Sequence, residues 1–418
     1  MEGALVPVLT NISQLATCPQ DASQQDAGLI NNAALVWMDD TIRWAGPIAD
    51  TPLEYQDEPL IDGKNRLVIP GLIDCHTHLC FGGWRGDEFE RRLQGASYQE
   101  IAQDGGGIAS TVAATRNTSL EELQQKAGAI LDEMLRLGIT TVECKSGYGL
   151  DEHNELKQLE VYRLLNESHV IDLVPTFLGA HIIPPEYTKH RDRYIRLLCE
   201  VLIPHIAEQG LAGFCDAFVE TGAYSVDEAR HILSVAAKNG LGIKIHADQL
   251  SGGGGAELAA ELRAVSAEHL EYISEAGMKA LASAGTVAVS LPLASLYLGE
   301  PYMPARKMMD CGVSVAVATD FNPGSAPSYH LPLAMTLACV QQGMTPQETL
   351  QGTTAVAAKA ISLDDTTGSL IAGYVADLAI IDSPDLNHWL YQFRPNACIA
   401  VMKSGKWVHG NQAIAMSS

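Results

Sequence analysis

Residues 68–78 read Val-Ile-Pro-Gly-Leu-Ile-Asp-Cys-His-Thr-His, an apolar run that ends in two histidines two positions apart. Alternate side chains of a β-strand lie on one face, so His76 and His78 point to the same side. Two imidazoles on one face are typical of a metal site, but two ligands cannot complete it. The stretch therefore predicts a metal centre with further ligands at the ends of other strands.

Three further candidates occur at or near the ends of other apolar runs: His246, His269 and Asp320. A lone histidine in an apolar strand is more often a core residue than a ligand. Asp320, just before Asn322-Pro323-Gly324, would alone suit a turn. However, small residues share one face with Asp320 in the run 313–320, as in a barrel interior. The joint pattern predicts a metal site inside a barrel.

Length, composition and charge limit the class of protein. The chain has 418 residues, of which 47% are hydrophobic and 18% charged, and this suits a globular (β/α)-barrel with a smaller attachment. It opens without a basic signal region, and no apolar run approaches membrane length, so we expect a soluble cytoplasmic protein. The net charge of -23 argues against nucleic acid and anionic membranes as partners. It also requires local cations for any anionic substrate.

Nine cysteines lie mostly in apolar runs and form no Cys-x-x-Cys pair. Small core residues of a reducing compartment show this pattern. The sequence therefore argues against a disulfide framework.

Strand and helix signals divide the chain into two predicted domains. Residues 1–66 and 366–418 contain short strands and turns, which we expect to pair into one small β-sandwich domain. Helices and strands alternate in 67–365, with capping boxes at 119–122 and 225–228 for helices that end near Gly138 and Gly240. Eight strands are predicted, the number of an α/β (β/α)8 TIM barrel; they begin at Val68, Thr140, Val174, Gly213, Gly242, Val265, Thr286 and Val313.

With these motifs the chain resembles the amidohydrolase superfamily, whose barrel strands carry His-x-His, His, His and Asp, and whose β domain uses both termini. The resemblance covers nearly the whole chain. Its most specific motifs lie at 81–98, 145–150, 177–181, 246–249 and 319–325. It implies hydrolysis of the ring C–N bond of 4-imidazolone-5-propanoate, a small anionic substrate, to N-formimidoyl-L-glutamate in histidine degradation.

The resemblance also implies the metal centre. One Zn²⁺ or Fe³⁺ ion per subunit would be held by His76, His78, His246 and Asp320. His269 would lie beside the metal and orient or deprotonate water, and Asp320 would pass a proton to the leaving ring nitrogen. A homodimer is expected on the same ground.

The resemblance assigns substrate contacts to six residues: Arg85, Tyr148, His181, Asn322, Gly324 and Ser325. Arg85 would hold the propionate with help from Tyr148 and His181, and the other three would contact the ring or product. A guanidinium fork suits a carboxylate. The alternatives are a salt bridge from Arg85 to Asp87 or Glu88, and a plain turn around Tyr148.

Gln249 departs from some family members, which carry Glu at this position. An amide can orient water or substrate but cannot accept a proton at neutral pH. The expected catalytic role of Gln249 is therefore only to orient water or substrate. We expect His269 and Asp320 to transfer the protons.

Two glycine-rich segments, 105–107 and 252–255, superficially suggest phosphate binding. Neither has the following Lys-Ser/Thr or the Rossmann spacing, so we reject that interpretation. Flexible active-site loops are the better interpretation. Residues 105–108 lie in a long insertion after the first strand and are predicted to form a lid.

Three other functions are alternatives to this interpretation. Another mononuclear amidohydrolase, such as a deaminase of a neutral heterocycle, would not need the Arg85 clamp. A dinuclear enzyme would want a bridging lysine on a middle strand, whereas the fourth strand ends Phe218-Val219-Glu220. A catalytically inactive barrel kept for assembly would not need an intact ligand set.

Overall fold

The chain opens with strands that do not belong to the barrel. In this computed structural model, which describes residues 6–96 and 106–410, the first four strands are β1 (Val8–Ala16), β2 (Leu29–Met38), β3 (Thr41–Pro47) and β4 (Leu60–Pro70). β1 pairs antiparallel with β2 and parallel with β4. This arrangement places β4 in the interior of the first sheet.

Eight parallel strands then form the barrel, and their spatial order is their order in the chain. They are β5 (Leu72–Thr77), β6 (Ile139–Lys145), β7 (Asp172–Ala180), β8 (Phe214–Val219), β9 (Gly242–Ala247), β10 (Ser266–His269), β11 (Val287–Ser290) and β12 (Val315–Val317). The barrel closes beyond β12, where Thr77 pairs with Phe321 and the His78 amide donates to the Phe321 carbonyl at 2.8 Å. The predicted (β/α)8 barrel is thereby confirmed.

The last strands return to the first sheet. They are β13 (Leu378–Ile381), β14 (Cys398–Lys403) and β15 (Lys406–His409), and the seven strands lie in the order β15-β14-β13-β4-β1-β2-β3. The prediction that both ends of the chain form one small β unit is confirmed. The exact domain boundaries, 1–66 plus 366–418 and 67–365, stay a prediction.

The first barrel strand differs from its predicted start at Val68. Residues 68–70 end β4 and pair with β13, and the barrel strand begins only at Leu72. Gly71 lies between the two sheets, and a Cβ atom there would lie 2.2 Å from the Thr140 hydroxyl oxygen. The close approach explains why an unbroken apolar run is divided, since only glycine fits. The other seven strands begin within two residues of their predicted positions.

Most of the helices connect the barrel strands, three follow the last barrel strand, and the last helix connects β13 to β14. They are α1 (Gly86–Leu93), α2 (Ile108–Asn117), α3 (Leu120–Arg136), α4 (Glu152–Ser168), α5 (Arg191–Leu197), α6 (Ile203–Gln209), α7 (Val226–Lys238), α8 (Gly255–Glu261), α9 (Glu275–Ala284), α10 (Pro292–Leu298), α11 (Ala305–Asp310), α12 (Leu331–Gln342), α13 (Pro346–Gly352), α14 (Ala355–Ala360) and α15 (Leu386–Leu390). Both predicted capping boxes form, at Ser119 and at Ser225. Within the two described ranges, no helix is long and apolar enough to cross a membrane.

β4 connects the two hydrophobic cores. Leu67 and Ile69 belong to the large core of the barrel, whereas Val68 belongs to the core of the seven-stranded sheet. This alternation follows from the period of two in a strand. Each buried aliphatic side chain contributes about 1.5–3 kcal/mol. Packing on both faces of β4 therefore fixes the start of β5, which carries the first two histidines.

Candidate metal centre and active site

The histidines predicted from strand ends meet at the carboxyl end of the barrel. His76 lies on β5, His78 follows that strand, and His246 lies on β9. Their ligand nitrogens lie within 4.8 Å of one another, and all three side chains are buried. The Nε2 atoms of His78 and His246 are 3.4 Å apart. Side chains that are far apart in the sequence therefore meet in the structure, as their positions at the ends of predicted strands indicate.

Asp320 completes this cluster from the other side of the barrel seam. Its Oδ1 atom lies 3.4 Å from Nε2 of both His76 and His78. Burial raises the pKa of Asp320, but the interactions with these two imidazoles outweigh burial and hold the pKa well below its usual value. Asp320 has a φ of +56°, a conformation that non-glycine residues adopt at an energetic cost and often at functional sites. Its carboxylate is thus aimed at the histidines.

His269 lies beside the cluster, at the end of β10. With His76 and Asp320 it forms a second set of ligand atoms within 4.8 Å. Its ring centroid is 5.4 Å from that of His246, and its Nδ1 atom is 3.6 Å from Oε1 of Glu271. Its φ of +74° is also left-handed. The structure therefore places His269 within reach of a group bound by the other residues.

The unpaired atoms of the cluster fit a metal ion. Neither ring nitrogen of His76 forms a hydrogen bond of good geometry within the described residues, nor does Nδ1 of His78. A buried polar atom without a partner is costly. Burial lowers the pKa of His78 and, with His76, that of His246, which favours the neutral imidazole that binds metals. Imidazole and carboxylate donors suit zinc and iron alike.

The carboxylates around His76 also favour a cation at this site. Burial and Lys145 lower the pKa of His76, but the carboxylates of Asp320 and Glu268 outweigh both and raise it to about 9. The site therefore attracts one positive charge, which a proton supplies when no metal is bound.

A layer of buried charges lies next to the cluster, and sequence analysis missed it. Its five side chains are fully buried: Glu143, Lys145, Asp216, Lys244 and Glu268. Asp216 Oδ2 lies 2.9 Å from His246 Nδ1, and Glu268 Oε2 lies 3.5 Å from His76 Nδ1. Carboxylates at Nδ1 orient such rings and leave Nε2 for a metal. The available signal was charged residues two apart, as at 143 and 145, in otherwise apolar strands.

The Arg85 guanidinium has two nitrogen atoms without a hydrogen bond among the described residues. Its side chain is 7% exposed, and within the described residues its Nε and Nη1 atoms have no hydrogen-bond partner. Glu88 is 3.7 Å away, beyond hydrogen-bond distance, and accepts instead from the Gly107 amide at 2.8 Å. A Cβ at Gly324 would lie 1.1 Å from Arg85 Nη2, so the guanidinium rests on the backbone of that glycine. The alternative of a salt bridge to Glu88 is thus present as a long ion pair, which leaves the Nε and Nη1 atoms of Arg85 without a hydrogen bond among the described residues.

Tyr148 and His181 lie against the histidine cluster. The His181 ring stacks on His78 at a centroid distance of 5.4 Å, and the Tyr148 ring is 5.4 Å from His181. Nδ1 of His181 is 3.0 Å from the Gly147 carbonyl, which can only accept, so Nδ1 carries the proton. Burial and His78 lower the pKa of His181 to about 3. Its Nε2 atom therefore offers a lone pair.

The loop that carries Tyr148 is more than a plain turn. The buried carboxylate of Glu155, on α4, accepts hydrogen bonds from the amides of Gly149 and Leu150, both at 2.8 Å. It also accepts from Gly147 at 3.2 Å. Sequence analysis missed Glu155 because nothing in its helix distinguishes it from a surface residue.

Asn322, Gly324 and Ser325 form a tight loop after Asp320. Asn322 Oδ1 accepts from the amides of Gly324 and Ser325, both at 2.8 Å, and Asn322 Nδ2 donates to the Asp320 carbonyl at 2.6 Å. The Ser325 hydroxyl donates to Asp320 Oδ2 at 3.3 Å. The structure thus brings all three residues to the metal cluster.

Gln249 lies half-buried at the start of the loop after β9. The preceding residue, Asp248, fills the glycine-rich loop 252–255 with its own carboxylate, which accepts from Gly253 at 2.8 Å and from Ala256 at 3.1 Å. This agrees with the rejection of a phosphate site there. Gly105 lies outside the described residues, and the predicted lid stays a prediction.

Comparisons with known proteins point to one family. The model of the amidohydrolase family matches residues 67–408. The chain is 47% identical to the imidazolonepropionase of Symbiobacterium thermophilum over 92% of both chains, and 44% identical to that of Bacillus velezensis over 98% of both. Its fold is similar to a zinc-bound adenosine deaminase from Xanthomonas campestris, with a TM-score of 0.73 and 18% identity over 99% of this chain and 95% of the other.

Proposed function

The chain belongs to the amidohydrolase family and, within it, to the imidazolonepropionases, and we propose that the cluster at the carboxyl end of its barrel is the active site. It is a metal-dependent hydrolase of histidine degradation. One observation carries the assignment of the site. The buried Nε2 atoms converge on Asp320 close to the loop where Arg85 rests on Gly324 with free donors.

Four residues would hold one Zn²⁺ or Fe³⁺ ion per subunit: His76, His78, His246 and Asp320. When bound, this ion would supply an activated water at neutral pH. Asp216 and Glu268 would keep the rings of His246 and His76 oriented through their Nδ1 atoms.

The substrate, 4-imidazolone-5-propanoate, would be oriented by its carboxylate. The guanidinium of Arg85, whose Nε and Nη1 atoms have no hydrogen bond among the described residues, would bind that group, and Tyr148 would assist. The lone pair on His181 Nε2 would repel a carboxylate but can accept a hydrogen bond from a ring N–H. His181 would therefore contact the ring. Asn322, Gly324 and Ser325 would shape the wall next to Asp320.

Ring opening needs one proton removed and one delivered. His269 would take a proton from the attacking water as the C–O bond forms and would pass it to the ionised Asp320, which would deliver the same proton to the ring nitrogen as the C–N bond breaks. Gln249 would orient water or substrate by hydrogen bonds, since an amide accepts no proton at neutral pH. The product would be N-formimidoyl-L-glutamate.

We also propose that the enzyme is a cytoplasmic homodimer without nucleic-acid or membrane partners. The net charge of -23 supports the second part, because polyanions would be repelled.

The proposal is tested by loss of substrate absorbance with metal-loaded enzyme. Wild type, Arg85→Met and a control, Arg196→Met, which removes a half-exposed arginine of α5, are compared on 4-imidazolone-5-propanoate and on its neutral propanamide analogue. We expect Arg85→Met to lose about 100-fold in kcat/KM on the acid and little on the amide. Equal losses on both substrates would contradict the carboxylate clamp. An inactive wild type would contradict the proposed substrate.

A further inference from the structure

A second set of potential ligands shares His246 with the proposed metal centre. Asp216, His246 and Glu268 offer three ligand atoms within 4.8 Å of one another, all buried. We refer to these three residues as the lower triad. Two carboxylates and an imidazole have the donor chemistry of a zinc site. The barrel thus contains two overlapping arrangements that could each hold a cation.

The ammonium group of Lys145 already lies in the lower triad. Its Nζ atom is 2.9 Å from Asp216 Oδ2 and 3.4 Å from Glu268 Oε2. These are the same two oxygen atoms that face His246 Nδ1, at 2.9 and 3.7 Å. A metal in the lower triad would need both oxygens, so it would have to displace the ammonium group.

Lys145 also has no route to solvent. Its side chain is 0% exposed, and a third carboxylate, that of Glu143, lies 2.8 Å from Nζ. We propose that Lys145 is a built-in cation that occupies the lower triad and thereby limits the barrel to a single metal ion. This inference rests on the proposed function, because it takes the four-residue centre as the site of that one ion.

The charge balance of the layer supports this role. Three buried carboxylates, those of Glu143, Asp216 and Glu268, face two buried ammonium groups, those of Lys145 and Lys244. Removal of Lys145 would leave three negative charges beside one positive charge among fully buried side chains, which is strongly unfavourable. A divalent cation from solution would restore the balance. It would be bound by the carboxylates of Asp216 and Glu268 and by Nδ1 of His246, which would release its proton to solvent.

Lys244 provides a matched control. It is equally buried and also pairs with Glu268, but through the other oxygen, Oε1, at 3.1 Å. Its second partner is the Ser266 hydroxyl at 2.7 Å. Removal of Lys244 therefore deletes a buried cation of the same layer and leaves the ammonium group of Lys145 in the lower triad.

The experiment measures zinc per chain. Wild type, Lys145→Ala, Lys145→Met and Lys244→Ala are saturated with Zn²⁺, desalted and analysed by mass spectrometry of the metal. We expect one ion in wild type, two in Lys145→Ala, and one in Lys244→Ala. The methionine variant should bind one, because its side chain removes the charge but fills the space. In Lys145→Ala with His78→Ala, one ion should remain, which locates the additional site away from the first.

Each outcome is decisive. A folded Lys145→Ala that binds one zinc, or a wild type that binds two, would overturn the inference. A wild type that binds none would instead contradict the proposed metal centre. If Lys145→Ala is recovered unfolded, it is refolded at increasing Zn²⁺ concentrations. Recovery with two ions per folded chain supports the role of Lys145, and failure at every concentration overturns it, since a replacement cation should restore the charge balance.

Discussion

Two polar layers lie next to each other in the barrel, and both are buried. The metal-centre layer contains His76, His78, His246 and Asp320; the charged layer contains Glu143, Lys145, Asp216, Lys244 and Glu268. In the first, both ring nitrogens of His76 and Nδ1 of His78 have no hydrogen bond of good geometry among the described residues, and Asp320 has a left-handed backbone. In the second, each lysine nitrogen lies within 3.4 Å of a carboxylate oxygen. Asp216 Oδ2 of this second layer also lacks a hydrogen bond of good geometry, but it lies 2.9 Å from the Lys145 ammonium group. Imidazole nitrogens without hydrogen bonds and local backbone strain therefore distinguish the metal-centre layer.

The largest effect is expected from a substitution in the metal-centre layer. In His78→Gln, loss of a ligand should lower kcat/KM by about 10²–10⁴-fold, in the range of losing an acid–base group. The free energy of unfolding of the metal-free protein should change by only about 1 kcal/mol, because Nδ1 of His78 has no hydrogen bond among the described residues and Nε2 has only long contacts, at 3.4 Å, to His246 and Asp320. Enzyme assays and urea unfolding of the same samples check both values. A large loss of metal-free stability would show that this layer is structural as well.

The next effect comes from the charged layer. Glu268→Gln should lower the free energy of unfolding of the metal-free protein by about 3–5 kcal/mol, because Lys145 and Lys244 would each lose a buried partner. Glu208→Gln, on the exposed face of α6, should change it by about 0.5 kcal/mol or less. Urea unfolding monitored by circular dichroism measures both. An equal response of the two variants would remove the distinction between the layers.

A smaller effect is expected at Glu155, which lies outside both layers and whose carboxylate accepts hydrogen bonds from backbone amides. Glu155→Gln would replace one acceptor oxygen with a donor and weaken the hold on the loop that carries Tyr148. Loss of about 1 kcal/mol corresponds to a roughly fivefold rise in KM, with kcat less affected. Steady-state kinetics separate the two constants. Glu152→Gln, an exposed change in the same helix, is the control, and a pure fall in kcat would argue for a different role of Glu155.

The last effect, which is absent at neutral pH, is a pH dependence from His181, which stacks on His78 of the metal-centre layer. Its pKa is about 3 in the folded protein, against about 6.5 when unfolded, so the unfolded chain binds more protons between these values. The stability contributed by His181 is therefore complete above pH 6.5 and is lost as the pH falls toward 3, at up to about 1.4 kcal/mol per pH unit.

His181→Gln should flatten this part of the stability curve, as measured by urea unfolding of metal-free protein at several pH values. His231→Gln, on the exposed face of α7, should not. Parallel curves for wild type and His181→Gln would mean that His181 is protonated in the folded protein.

Local sequence patterns were sufficient to predict the barrel, the small β unit formed by both ends of the chain, and the ends of the capped helices. His76 and His78 could be identified because strand period and spacing are local properties. The split of the run 68–78 was not visible, because it depends on the close approach of Thr140 to Gly71. The role of Glu155 depends equally on a loop that folds back onto its helix.

The sequence by itself determined which residues end the barrel strands, since hydrophobic periodicity and capping act over a few neighbouring residues. Only the tertiary structure decided which charges meet. Lys145, Asp216 and Glu268 come from three strands, and their pairing depends on barrel closure and on burial, which makes an unpaired charge costly. Neither barrel closure nor the burial of a particular charge can be read from the linear pattern of residues.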